Sequence, residues 1–364
     1  MRFFRLLKHF KRKYKRLERH LSALIRYPTI GRLVNLALVE TERILGKTRL
    51  RGKPYITVID PVNACNLKCP FCPTGMGTLP LKPGTMSLEK YRELVDEIAS
   101  HTIKLILYNW GEPFLHKDIL SMIKYAHDRK IATSISANLN IIPEGGGEAI
   151  VRSGLDDLII SCDGLTQETY EKYRRGGQLE TVLKNLEEIA AAKKRLGSRY
   201  PVIEFQFLVF KHNEHEAGRV EEFAKKRGAD FVRLAKPYVN VDFDEIGLAE
   251  NPEYVRGQYL DEEVSQSPEM DIFSPSADQE KCAAHFTPPL KCFWPWRTMV
   301  INWNGQADPC CGKNYLQGFG NVFEQSVSEI WNNRFYRYAR AWIRGKAKND
   351  PNLKIVCRGC PGYE

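Results

Sequence analysis

Between Tyr55 and Ala235 the sequence passes through six strand patterns separated by helix patterns, and this alternation restricts the fold more than any other feature of the chain. Tyr55–Asp60 is aromatic and β-branched and is bounded by Pro54 and Pro61, which predicts a strand. Leu88–Ala99 has helical apolar spacing behind Ser87 as its N-cap. Ile103–Tyr108, Ile131–Ser136, Asp157–Cys162, Val202–Phe210 and Asp230–Ala235 predict the remaining strands. Between them His116–Arg129, Glu148–Ser153, Gln167–Leu196 and Glu214–Arg227 predict helices, with the Gln167 helix broken near Gly176–Gly177. Strands joined by helices run parallel with right-handed crossovers. Periodicity alone allows an incomplete barrel or an open doubly wound sheet. In both, chemistry belongs at the carboxyl ends of the strands.

Ten cysteines in a chain of 364 residues bear on that chemistry. No secretory signal is visible, because Lys8 and the Lys11–Arg16 cluster interrupt any apolar run, and no segment approaches the ~18 apolar residues of a membrane span. The expected location is therefore the cytoplasm, and the cysteines read as ligands rather than disulfides. Cys65, Cys69 and Cys72 follow the first predicted strand as Cys-x3-Cys-x2-Cys. Three thiolates in one run can each hold a corner of a cubane cluster and leave its fourth iron open to another ligand. A zinc site completed by a distant His or Asp is the alternative. Near the end, Cys292, Cys310, Cys357 and Cys360 form two separated pairs, enough thiolates to saturate a second cluster. A structural zinc ribbon is again the alternative. Cys311 competes with Cys310, although the Gly305-x4-Cys spacing favours Cys310, and Cys282 is surplus. Cys162 stands alone and reads as a buried structural thiol.

The first cluster, with Phe71 before its last cysteine, resembles the signature of radical S-adenosylmethionine (SAM) enzymes. The resemblance runs over residues 54–236. Asn109-Trp110-Gly111-Glu112-Pro113 follows the second strand and is similar to the family's GGEP segment, with Trp110 in place of the first glycine. Asn138 follows the third strand, and Ser161-Cys162-Asp163-Gly164 ends the fourth. Ser161 and Asp163 are two apart and share a strand face, with Cys162 on the other. Arg174 stands where relatives carry an arginine near the SAM carboxylate. The resemblance implies a partial (βα)6 barrel. It also implies a SAM-binding [4Fe-4S] cluster on Cys65, Cys69 and Cys72, with SAM held by Phe71, Gly111, Glu112, Pro113, Asn138, Ser161 and Arg174. Asn321 to Trp331 is similar to the Asn…Glu-Ile-Trp stretch of SPASM domains, which implies one auxiliary [4Fe-4S] cluster on Cys292, Cys310, Cys357 and Cys360. The expected fold class is α/β: a basic helical arm (1–53), the radical SAM core (54–240), an acidic linker or lid (241–281) and a SPASM/twitch domain (282–364).

The net charge of +10 is concentrated in the arm, where residues 1–53 hold 16 Lys/Arg against 3 Asp/Glu. The body is close to neutral, so nucleic acid is not the expected partner; a zinc-bound nucleic-acid-binding module is the non-enzymatic alternative. Within residues 1–28 the apolar positions Phe3, Leu7, Phe10, Tyr14, Leu17, Leu21 and Leu24 recur at helical spacing between basic residues. Such a helix either lies on the inner membrane surface or packs on the protein's own body. The resemblance implies reductive cleavage of SAM to a 5′-deoxyadenosyl radical that abstracts hydrogen from a substrate, with electrons from a donor such as flavodoxin or ferredoxin. The expected enzyme is of oxidoreductase type. It would oxidise or epimerise a sugar, polyol or lipid-linked small molecule; maturation of a ribosomally made peptide is the alternative.

Overall fold

The computed structural model describes residues 23–237, 246–247, 249–251, 292–311, 318–348, 350 and 352–359. Residues 1–22, most of the acidic 241–281 segment, Cys282 and Cys360 lie outside the described residues. Strands β1 (Ile56–Ile59), β2 (Lys104–Ile106), β3 (Ala132–Ala137), β4 (Asp157–Ser161), β5 (Val202–Leu208) and β6 (Phe231–Ala235) lie side by side in chain order, each parallel to its neighbour. A doubly wound sheet reverses its strand order at a switch point. An unreversed order puts every right-handed crossover on one face and curls the sheet towards a barrel. The barrel does not close on itself. Beyond β1 the same sheet continues through β7 (Thr298–Ile301), parallel to β1, and then through antiparallel β8 (Gln306–Asp308) and β9 (Gly320–Asn321). The edge of β1 that would meet β6 in a closed barrel is thus taken by the C-terminal region.

The helices are α1 (Ile30–Ile44), α2 (Pro73–Met76), α3 (Leu88–Ile98), α4 (Ile119–Asp128), α5 (Gly146–Arg152), α6 (Gln167–Tyr173), α7 (Leu179–Arg195), α8 (Val220–Lys226), α9 (Trp294–Arg297), α10 (Val327–Trp331) and α11 (Arg334–Ile343). Ser87 caps α3 by accepting a hydrogen bond from Lys90 N, as its sequence position predicts. The long helix expected from Gln167 is two helices, because Gly176 turns through a positive φ of 82° between them. The helix expected over 214–227 begins as a 3-10 turn, Lys211–Glu216, and becomes α-helical only at Val220. The tighter turn places Asn213, whose side chain accepts from Phe210 N and donates to the carbonyls of Asp163 and Leu208.

Alternate residues on the strands face opposite ways. Leu105, Leu107, Ile135, Ala137, Leu158, Ile160, Ile203, Phe205 and Phe207 join the main apolar core with the helices. Their neighbours, Lys104, Ser134, Ser136, Asp157, Ser161, Glu204, Gln206 and Arg233, share the concave face. That face is polar in layers: Lys104 pairs with Asp157 at 2.6 Å, Arg233 pairs with Glu204, and the Ser136 and Ser161 hydroxyls bond at 3.2 Å.

The end of the arm plugs the barrel floor. Ala23, Leu24, Tyr27, Leu36 and Val39 pack on Tyr55, Ile56, Ile103 and Ala132 at the amino ends of β1–β3. The described end of the arm thus packs on the protein's own body, while the apolar stripe from Phe3 to Leu21 lies outside the described residues. Among the described residues, no helix is long and apolar enough to cross a membrane. Arg32 is buried on the floor and donates to Ala99 O (2.8 Å), Arg129 O (3.0 Å) and Lys130 O, the carbonyls that end α3 and α4. A guanidinium at two helix C-termini satisfies these three orphan carbonyls and both dipoles. The C-terminal region then grips the chain between α1 and β1. Trp296 and Trp331 donate their indole N–H to Lys47 O and Gly52 O, each at 2.9 Å. Arg340 donates to Thr48 O at 2.9 Å, and Arg297 makes a two-pronged pair with Glu40 at 2.6 Å.

Candidate active site

The loop after β1 carries Cys65, Cys69 and Cys72, and its shape is set by close backbone packing. Cys72 N donates to Cys69 O at 3.2 Å, and Leu67 N donates to the Cys65 sulfur at 3.4 Å. Lys68 N donates to Arg175 O at 3.0 Å and ties the loop to the turn after α6. A Cβ on Gly75 would stand 2.6 Å from both Cys69 N and Cys69 O, so only glycine lets α2 fold back on the loop. Phe71, Tyr173 and Phe210 wall the loop, with ring centroids 4.6 Å apart for Tyr173–Phe210 and 6.0 Å for Phe71–Phe210. Burial pushes the Cys65 thiol up to about 12, and Glu112, Cys69 and Cys72 push the same way. Burial also raises Cys69. Thiols held neutral by burial bind a metal by giving up protons to it, and a cation supplies the missing charge compensation.

The donor set suits a polynuclear cluster better than a single ion. Tetrahedral zinc with Zn–S of about 2.3 Å draws its sulfurs within roughly 4 Å of one another. Among the described residues, no three His, Cys, Asp or Glu side chains stand close enough to ligate one ion. A cluster holds each thiolate on a separate iron and tolerates wider spacing.

The other residues singled out in the sequence gather at the same ends of the strands. Buried Asp60, at the end of β1, accepts from Trp110 N at 3.3 Å and Gly111 N at 3.5 Å. Trp110, which replaces a glycine of the family pattern, is absent from the non-glycine residues of positive φ, so the loop does not need a glycine there. Thr74 of α2 donates to Trp110 O at 2.7 Å and joins the two loops. Gly111 cannot be replaced as easily: a Cβ there would meet Val62 O at 1.7 Å. Glu112 is buried. Its N–H donates to Ala64 O at 2.8 Å, while its carboxylate accepts from Asn138 N at 2.8 Å and Phe114 N at 3.2 Å. Burial pushes Glu112 up to about 7 against those bonds. Glu112 thereby joins the ends of β1, β2 and β3, and Pro113 opens the 3-10 turn that follows. Asn138 reaches back to Asn66 Oδ1 at 2.9 Å and to the Cys65 sulfur at 3.8 Å.

Ser161 and Asp163 share a face, and Cys162 is fully buried in the core, as the alternation predicts. The Asp163 side chain is fully buried. Its carboxylate accepts from Arg174 Nε and from Leu208 N, each at 2.6 Å. Arg174 is not on a solvated helix face but is largely buried, with Nη1 at 3.9 Å from the Cys69 sulfur. Burial opposes its charge, but Asp163 and Cys69 more than offset that and hold the guanidinium pKa well above its usual value. Asp60, Gly75, Tyr173, Phe210 and Asn213 were not foreseen as site residues. Asp60 carried a signal, a lone acid ending an apolar strand; Asn213 carried none.

In the C-terminal region, Cys310 follows β8 and is buried, and Cys357 is buried in the main core. Both act on the phenol of Tyr336, which burial raises well above its usual value, and the Tyr336 hydroxyl donates to Asp308 O at 3.0 Å. Cys311, beside Cys310, is half-buried. Cys292 is half-buried against the same core. Gly305 turns at φ 86°, where a Cβ would meet Asn321 Oδ1 at 2.3 Å.

Residues 59–223 match the Radical SAM superfamily, and residues 292–361 match the iron–sulfur cluster-binding domain called SPASM. The AdoMet-dependent heme synthase of Methanosarcina barkeri is 23% identical over 85% of this chain and 92% of its own length. The PqqA peptide cyclase of Granulibacter bethesdensis is 23% identical over 84% of this chain and 82% of its own length. Among solved structures, Streptococcus suis SuiB bound to S-adenosylmethionine aligns with a TM-score of 0.62 and 16% identity over 88% of this chain and 75% of that one. The chain belongs to the radical SAM superfamily, an enzyme family that works with SAM and a SAM-binding [4Fe-4S] cluster, and it carries a C-terminal SPASM domain for an auxiliary iron–sulfur cluster.

Proposed function

We propose that this enzyme modifies a peptide. The observation that carries the reading is the reach of the similarity to PqqA peptide cyclases, which spans both the barrel and the C-terminal domain. A maturase, mycofactocin maturase MftC of Mycobacterium ulcerans, is 27% identical over 44% of this chain and 41% of its own length. The sugar, polyol or lipid-linked substrate expected from the sequence finds no support in these relatives. The motifs that carried the family resemblance hold the cofactors, and they say nothing of what enters the barrel.

The concave face fits an amide-rich chain. Lys104–Asp157 and Arg233–Glu204, with Ser134, Ser136 and Gln206, offer donors and acceptors for peptide groups, alongside the apolar Ile106, Ile159 and Leu208 of the same strand faces. In this reading Cys65, Cys69 and Cys72 hold the SAM-binding cluster, and the Gly111–Pro113 segment, Asn138 and Ser161 position SAM beside it. Glu112 and Asp60 act behind them by fixing the loops. Arg174 and Asp163 brace the cysteine loop from the far side. SAM and its cluster supply a hydrogen-abstracting radical when bound, and the protein's part is to orient the substrate and exclude water. Cys292, Cys310, Cys357 and Cys360 hold the auxiliary cluster. Electrons enter from a small redox protein of the flavodoxin or ferredoxin kind.

The heme synthase relative keeps a tetrapyrrole substrate as a second reading, because it too is matched along nearly its whole length. The test is to supply the reconstituted enzyme, SAM and reductant with short precursor peptides encoded beside its gene, and in parallel with porphyrins. A mass change in a peptide, with 5′-deoxyadenosine formed in step, is the expected result. Turnover with a porphyrin and none with any peptide would overturn the peptide reading.

A further inference from the structure

The Arg174–Asp163 pair faces the cysteine loop with its cationic end. Arg174 Nη1 is 3.9 Å from the sulfur of Cys69, which is the most buried of the three thiols in the loop. Its Nε is held by Asp163 Oδ2 at 2.6 Å. Asp163 is itself held by Leu208 N at 2.6 Å, and its carbonyl accepts from Asn213 Nδ2 at 2.9 Å. The pair is anchored to β5 and to the 3-10 turn after it. The Lys68 N to Arg175 O bond, 3.0 Å, ties the cysteine loop to the residue after Arg174, so guanidinium and sulfur keep their spacing.

We propose that Arg174 is a positioning residue that sets the reduction potential of the SAM-binding cluster by donating a charge-assisted hydrogen bond to Cys69, with Asp163 both aiming it and partly cancelling its charge. This rests on Cys65, Cys69 and Cys72 being the ligands. A donor or cation at a cluster sulfur stabilises the reduced, more negative state and raises the potential. The exposure of the two side chains, 13% for Arg174 and 0% for Asp163, leaves little water to screen either charge. The two residues therefore act in opposite directions. Removing the cation lowers the potential. Removing only the counter-charge, with the shape kept, raises it.

The experiment is an EPR-monitored potentiometric titration of the reconstituted enzyme without SAM, so that contact with SAM cannot move the result. The auxiliary cluster in the same sample is the internal reference. Arg174→Met is expected to shift the first cluster to a lower midpoint, and Asp163→Asn to a higher one, with the auxiliary cluster unmoved. Equal midpoints in wild type and Arg174→Met, with iron content unchanged, overturn the proposal. If Arg174→Met fails to hold the cluster, Asp163→Asn decides: a rise supports the proposal, and no change or a fall overturns it. Loss of iron from both variants assigns the pair to holding the loop and also overturns it. The ligand reading fails separately, if Cys69→Ala leaves the iron content and the first EPR signal intact.

Discussion

Gly111→Ala should separate the loop that carries the cysteines from the loop that carries Glu112. An alanine Cβ at this position would lie 1.7 Å from Val62 O, 2.6 Å from Val62 C and 3.1 Å from Ala64 O, where real Cβ atoms essentially never come within 3.0 Å. All three obstacles are backbone, so no side chain can swing away. The loops must part by roughly 1.3 Å, an overpacking that costs about 1–3 kcal/mol. The Glu112 N to Ala64 O bond, 2.8 Å, spans the same gap and weakens with it, adding about 1 kcal/mol. Cys65 follows Ala64 directly, so the displacement reaches the first thiol; a misplacement of this order can cost about 100-fold in rate. Gly197→Ala is the control. It has a positive φ of 60° and nothing within 4 Å, so it bears only the backbone cost of about 1 kcal/mol. The assay is iron per chain after anaerobic reconstitution, with denaturant unfolding of the apo protein beside it; two full cubanes require about eight irons. Gly111→Ala should lose stability by about 2–4 kcal/mol and retain the auxiliary cluster while loading the first poorly. Iron content and stability no worse than those of Gly197→Ala would refute the reasoning.

Gly75→Ala should impair the first cluster by the same means from the other side, since its Cβ would press on Cys69 N and O at 2.6 Å; iron per chain checks it, and full loading would count against it. Arg32→Met should destabilise the barrel floor by about 3–5 kcal/mol, because the carbonyls of Ala99, Arg129 and Lys130 lose a buried charged donor. Arg32→Lys should recover only part of this, since one ammonium cannot span both helix ends; denaturation midpoints of the two variants test it. His101 is buried, and burial first, then Lys53 and Arg32, lower its pKa to about 4. The unfolded chain takes up that proton near pH 6.5 and the folded one does not. The neutral ring's contribution is therefore whole above pH 6.5 and is lost as pH falls towards 4, by about 3 kcal/mol. His101→Gln should flatten that part of the stability–pH curve, and an unchanged curve would exclude the histidine as its source.

The local sequence determined the elements and the placement of the chemistry. Period-two and period-3.6 patterns record which side of an element avoids water, so the six strands, most of their helices and the inward-facing Ser161 were legible from residue types alone. The cysteine spacing and Gly111-Glu112-Pro113 were legible too, because each is a short-range motif at a strand end. Cys162 lies in the core, on the side its place in the alternation predicts. The boundaries that moved did so where a tertiary bond intervened, as when Asn213 drew residues 211–216 into a 3-10 turn to reach Asp163 and Leu208.

Only the tertiary structure decided who meets whom across long separations. The choice of an open barrel over a doubly wound sheet depends on strand order, and on β7 taking the free edge of β1 from more than 200 residues away. Arg174 reads in sequence as an arginine near the SAM carboxylate, and only the tertiary structure places it largely buried between Asp163 and Cys69, 105 residues from the latter. Arg32 looks like part of a basic arm, yet it caps two helices at the barrel floor. Glu112 reads in sequence as part of a SAM-binding segment; the tertiary structure adds that its carboxylate accepts from two backbone N–H groups that join the strand ends. A sequence pattern states how polar a position's surroundings must be; it does not name the partner. For a charged group in a medium that screens poorly, the partner sets its role.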